Sequence, residues 1–161
     1  HFPIENILNG GIWIGLDRIQ DPGNLGTILR TADAIGASGV ILIDNCTDPY
    51  DIGAIRSSMG AIFSLQIVKS ETLEFIKTIN RSELITIGTS DSAQLDYREG
   101  QYSENMVLLM GSEREGLSEP LIKACNDLVK IPMVGKSDSL NLAVATGICL
   151  YEIFNQINPI K

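Results

Sequence analysis

Short runs in which every residue is apolar, separated by stretches with helical spacing, most constrain how this chain can fold. Gly39-Val40-Ile41-Leu42-Ile43 and Val107-Leu108-Leu109-Met110 contain no polar side chain. A strand built from either must therefore be covered on both faces, as in a parallel sheet. Residues 11–16, 63–68, 84–88 and 128–131 read as further strands. Between them, residues 25–35 put Leu25, Ile28, Leu29 and Ala32 on one helical face. Residues 51–59, 71–79, 118–124 and 139–155 read as helices, with Ser118 opening the fourth and Pro120 in its first turn. Asp21-Pro22-Gly23 reads as a turn, Asn24 as the cap of the first helix and Gly36 as its stop, while residues 91–104 read as a polar, tyrosine-bearing loop. The alternation predicts one α/β domain: a largely parallel sheet with helices on both faces. A chain of 161 residues can bury a core of that kind without disulfide or metal.

Composition excludes several chemistries. The only histidine is His1, so no histidine general base, Ser–His–Asp triad or histidine-rich metal site can be built. Cys46, Cys125 and Cys149 are scattered, with no paired spacing, which suits a reducing compartment and predicts no metal. The glycosylation-like triplets Asn45-Cys46-Thr47 and Asn80-Arg81-Ser82 are then chance. The longest apolar runs fall far short of the ~20 residues that span a bilayer, and no signal-peptide pattern is visible. The chain reads as soluble and cytoplasmic. Gly135-Lys136-Ser137 is no phosphate loop, because Lys130 stands where its first glycine is required. No G-x-G-x-x-G follows a strand. The formal net charge of −8 disfavours a nucleic-acid partner on composition alone.

Three polar segments sit where strand-like runs give way to turns or helix starts: Asn24-Leu25-Gly26-Thr27-Ile28-Leu29-Arg30, Gly111-Ser112-Glu113-Arg114-Glu115-Gly116-Leu117, and Ile131-Pro132-Met133 with Ser139-Leu140-Asn141. Glycine and small polar residues at such places let backbone groups approach a ligand. Each has a plain reading as well. Asn24 and Ser139 can be helix caps, Arg30 can pair with Asp33 one turn on, the glycine-rich segment can be a connecting turn, and Arg56 can simply be solvated. In that order and spacing, the three segments resemble the SpoU/TrmH family of RNA ribose 2′-O-methyltransferases. The likeness runs from about Leu16 to about Ile153 through N-x-G-x-x-x-R, G-S-E-x-x-G and I-P-M…S-L-N. It departs at Ala143, where members often carry a second serine.

The resemblance implies S-adenosylmethionine as cofactor, held around Thr89, Gly111, Ile131, Met133 and Leu140. It implies a SPOUT-type fold with a C-terminal trefoil knot, and a homodimer seamed by the first and last helices. Arg30 would be the catalytic residue, with Asn24, Glu113, Ser139 and Asn141 around the target ribose, and Arg56 a further RNA contact. An arginine stays protonated, so Arg30 suits gripping a phosphate or stabilising an alkoxide better than accepting a proton. The target would be structured RNA, ribosomal or transfer RNA, with ribosomal RNA slightly favoured. Base methylation on the same scaffold, or an idle RNA- or protein-binding module, are the competing readings. Residues 1–11 resemble a connector from an N-terminal RNA-binding domain, leaving residues 12–161 as the methyltransferase domain.

Overall fold

The computed structural model describes residues 1–161. Seven strands, all parallel, form one sheet: β1 (Ile12–Asp17), β2 (Gly39–Ile43), β3 (Gln66–Ser70), β4 (Ile85–Thr89), β5 (Leu95–Asp96), β6 (Met106–Met110) and β7 (Asp127–Lys130), in the spatial order β3-β2-β1-β6-β4-β7-β5. Five α-helices connect and cover it: α1 (Pro22–Ala34), α2 (Ile52–Ser58), α3 (Thr72–Asn80), α4 (Glu119–Ala124) and α5 (Leu142–Ile157).

The all-apolar runs occupy the centre of the sheet because each of their side chains has a cover. Alternation splits them between two cores. Ile14, Leu16, Val40, Leu42, Leu108 and Met110 pack with Leu25, Ile28 and Leu29 of α1, Ala54 of α2 and Cys149, Leu150 and Ile153 of α5. Trp13, Ile41, Ile43, Val107 and Leu109 point the other way, onto Phe75 and Ile79 of α3 and Leu121 of α4. Ile4 and Ile7, from a 3₁₀ helix spanning Ile4–Asn9 in the segment read as a connector, are buried in this second core.

Several boundaries differ from expectation. The first helix starts at Pro22, two residues before Asn24, because Asp21 is its cap: the Asp21 carboxylate accepts the Asn24 N–H at 3.0 Å. Proline at N1 is compatible, since that N–H would lack a helical partner anyway. The last helix is capped by Asn141, not Ser139; its side chain accepts the Val144 N–H at 3.2 Å. Residues 63–68 are not one strand. A 3₁₀ helix covers Ala61–Phe63 and β3 begins at Gln66. The segment read as loop at 91–104 holds the edge strand β5 and a 3₁₀ helix at Tyr97–Glu99 closed by a capping box of Asp96 and Glu99. Ser118 takes the N-cap position of α4, but its hydroxyl makes no capping bond. No helix is long and apolar enough to cross a membrane.

Candidate active site

Beyond the carboxyl ends of β4, β6 and β7 lies a cavity of about 830 Å³, in the range of small-molecule sites and at the sheet end where α/β folds bind ligands. Thr89 closes β4, Gly111 follows β6, and Ile131 follows β7; with Met133 and Leu140 these line the cavity, as do Asn24, Glu113, Ser139 and Asn141. All five residues expected around a cofactor and four of the five expected around a target ribose thus share one space. Arg30 and Arg56 do not line it. Both are exposed on helices α1 and α2. Arg30 has no ion pair, so the expected partnership with Asp33 is not formed.

The polar wall is a directed chain of hydrogen bonds. Asn141 Nδ2 donates to Asn24 Oδ1 at 3.1 Å, and Asn24 Nδ2 donates to Glu113 Oε2 at 3.3 Å. Its ends fix its polarity. A carboxylate only accepts, so Asn24 must turn its amine toward Glu113. The cap bond from Val144 holds the Asn141 oxygen in the opposite sense. Glu113 also accepts from the Gln20 N–H at 3.2 Å and the Asp21 N–H at 3.0 Å. Partial burial pushes its carboxyl up, but the backbone N–H groups of Glu113, Gln20 and Asp21 and the Asn24 amide together outweigh that and hold it below the ordinary carboxylate value. Glu113 is therefore an anion that anchors the loop on the start of α1, where the helix dipole also favours it.

The rest of the lining includes an aliphatic set, Met110, Leu117, Ile122, Val129, Leu142 and Ala145, together with the hydroxyl-bearing Ser90 and Ser92. No aromatic ring contributes. The glycine-rich segment is folded tightly on itself. Ser112 and Gly116 exchange backbone hydrogen bonds at 3.3 and 3.1 Å, and a Cβ on Gly111 would overlap the Gly116 carbonyl carbon and the Leu117 nitrogen. Arg114, midway along the segment, is exposed, lines the cavity and has no ion pair.

Sequence reading missed Asp17 and Arg18. Arg18 binds Asp17, Glu115 and the Gly116 carbonyl, joining the end of β1 to the glycine-rich loop. The adjacent Asp-Arg pair at a strand end was the available signal, but its meaning depends on residues almost a hundred positions away. The thiols supply no nucleophile at neutral pH: burial pushes Cys46 up to about 11 and Cys125 and Cys149 up to about 12.

Residues 11–151 match the SpoU rRNA Methylase family. The chain is 31% identical over 153 residues to the 23S rRNA (guanosine(2553)-2′-O)-methyltransferase RlmP of Bacillus subtilis, covering 95% of this chain and 62% of that protein. It is 36% identical over 146 residues to the 23S rRNA (uridine(2479)-2′-O)-methyltransferase of Streptomyces viridochromogenes, covering 87% and 51%. Among solved structures, an AdoMet-bound rRNA methyltransferase from Sinorhizobium meliloti superposes with a TM-score of 0.93 at 40% identity, over 99% of this chain and 62% of that one. The chain spans between half and two thirds of the length of these relatives.

Proposed function

The chain belongs to the SpoU rRNA methylase family, and from that membership we propose that it carries the catalytic machinery of an S-adenosylmethionine-dependent RNA ribose 2′-O-methyltransferase acting on ribosomal RNA. The observation that carries this reading is the single cavity in which all three sequence segments meet, joined by the Asn141–Asn24–Glu113 chain.

The cavity's residues fit the cofactor. Its aliphatic side chains suit a flat base, while the Thr89, Ser90 and Ser92 hydroxyls and the backbone at Gly111, Ile131 and Leu140 suit a ribose and an amino-acid tail. When bound, S-adenosylmethionine supplies a methyl group on a positively charged sulfur. Everything else is positioning by the chain, which can contribute up to about 7–11 kcal/mol in well-oriented systems. Thr89, Gly111, Ile131, Met133 and Leu140 hold the cofactor. Asn24, Ser139 and Asn141 orient the target ribose. Glu113, already committed as an anion to several donors, anchors this array rather than taking the 2′-hydroxyl proton; a phosphate oxygen or water takes it instead.

Arg30 grips the phosphate beside the target ribose. Its place outside the cavity of its own chain fits a homodimer in which it serves the neighbouring subunit. An exposed apolar stripe on α5, Val144, Tyr151 and Phe154, with Gly147 between them, offers a seam. Arg56 and the unpaired Arg114 add RNA contacts. Because the net charge is −8, most of the affinity for RNA comes from a region joined through residues 1–11. The trefoil threading of the C-terminal segment and a cytoplasmic location belong to the same reading.

Calorimetry with S-adenosylmethionine in the presence of a chelator, followed by tritium transfer to ribosomal RNA, tests it. The expected result is cofactor binding and label at a linkage resistant to alkali, as a 2′-O-methyl group makes it. Arg30→Ala should lose transfer while keeping cofactor affinity within about threefold, since it removes a contact to substrate alone. No binding heat would refute the cofactor assignment, and label on a base would refute the ribose assignment.

A further inference from the structure

Arg18 lies outside all three segments and lines no wall of the cavity, yet its guanidinium makes four hydrogen bonds. Its backbone is left-handed, with φ of 56°, directly after β1. Side-chain-bearing residues rarely adopt that region, and where they do the surroundings must hold them there. Here the turn folds the guanidinium back onto its own neighbour. Asp17 has no solvent exposure; its Oδ1 accepts from Arg18 Nε at 3.0 Å and its Oδ2 from Nη2 at 3.2 Å. The same Oδ2 accepts the Ser118 N–H at 2.8 Å. The outer side of the guanidinium then reaches the loop: Nη1 donates to Glu115 Oε2 at 2.9 Å and Nη2 to the Gly116 carbonyl at 3.1 Å.

The Asp17–Arg18 pair thus holds residues 115, 116 and 118, the trailing half of a loop that lines the cavity from Gly111 through Leu117. Gly111 is packed against the Gly116 and Leu117 backbone, so a shift of the trailing half displaces the wall. We propose that Arg18 is a positioning residue for the cofactor loop, setting cofactor affinity without touching the cofactor. This rests on the S-adenosylmethionine reading above. The planar fork is essential to it, because one lysine ammonium cannot span a bidentate carboxylate, a second carboxylate and a carbonyl together.

Arg18→Ala leaves the buried Asp17 carboxylate without its partner and invites unfolding, so the informative variants are Arg18→Lys and Glu115→Ala. Three measurements apply to each: thermal unfolding, cofactor affinity with kcat at saturating cofactor, and amide exchange across residues 115–118 in cofactor-free protein. Arg18→Lys should unfold cooperatively, exchange faster across 115–118 and bind S-adenosylmethionine about ten- to a hundredfold more weakly, the range for losing charged hydrogen bonds. Its kcat at saturation should stay within about threefold, since the groups facing the substrate are intact. Glu115→Ala should cost about two- to fivefold in affinity, as an exposed ion pair does, and the double variant should be no worse than Arg18→Lys alone. Unchanged exchange and affinity in Arg18→Lys, or fully additive losses in the double variant, would overturn the proposal. Faster exchange in Arg18→Lys beside a wild-type protein that binds no cofactor would keep the clamp and remove the cofactor reading instead.

Discussion

At the scale of single residues, the site depends on the direction of its hydrogen bonds more than on their number. Asn24 works because an amide carries a donor and an acceptor on one planar group, letting Glu113 and Asn141 be served at once. Asn24→Asp keeps the shape and destroys the direction. It sets a second carboxylate 3.3 Å from Glu113, where like charges disfavour joint ionisation and one carboxyl must titrate upward. The expected outcome is a methyl-transfer rate at least about a hundredfold lower near neutral pH, from lost orientation of the reacting groups, with thermal stability partly recovering as pH is lowered and the carboxylate pair is protonated. The wild type should behave oppositely. Its Glu113 carboxyl is held low in the folded protein, so its contribution to stability is full above the ordinary carboxylate range and is lost as pH falls through the lowered value. Thermal melts at several pH values separate the two. The motif residues themselves were legible in the sequence because their types and spacing are local. Asp17 and Arg18 were not: a strand-ending Asp-Arg pair is unremarkable until folding brings Gly116 and Ser118 against it.

At the scale of elements, the first segment teaches a correction about its glycine. Sequence reading assigned such glycines to close approach of a ligand. Gly26 instead faces α2, where an added Cβ would overlap the Ala54 carbonyl oxygen and the Ser57 Cβ. It is a contact point between two helices, needed for the depth at which α1 seats beside α2. Gly26→Ala should therefore destabilise by about 1–3 kcal/mol, the usual result of overpacking. Thermal melts should show it as about 2–4 °C per kcal/mol for a chain of this size. The central strands were easily read, because runs buried on both faces leave no polar positions to confuse the pattern, whereas the start of β3 and the short edge strand β5 were not. Helix starts were misplaced by two or three residues because two potential caps stood close together at each: Asp21 before Asn24, and Ser139 before Asn141. Local chemistry permits either cap. Tertiary bonding chooses, since Asn24 is committed to Glu113 and Asn141, while Asp21 is placed to cap the helix.

At the scale of the whole molecule, assembly and charge dominate. A homodimer seamed by the α5 stripe should scatter light as about twice 17.5 kDa at micromolar concentration, and Tyr151→Glu should return it to the monomer by placing a charge in an apolar contact. A protein that scatters as a monomer throughout would remove the shared-site role given to Arg30. The chain of amides has one more consequence. It ties residue 24 to residue 141, a separation of 117 positions, so the site has no local precursor. Closing so long a loop is among the slower events of folding. On a ribosome, where synthesis runs from the amino end, the sheet's first strands and α1 exist long before Asn141 emerges. A nascent chain can thus hold its first strands and α1 and still lack the closed cavity. The cavity wall is completed only with the last helix, because a chain that stops before Asn141 lacks the amide that ties Asn24 to the rest.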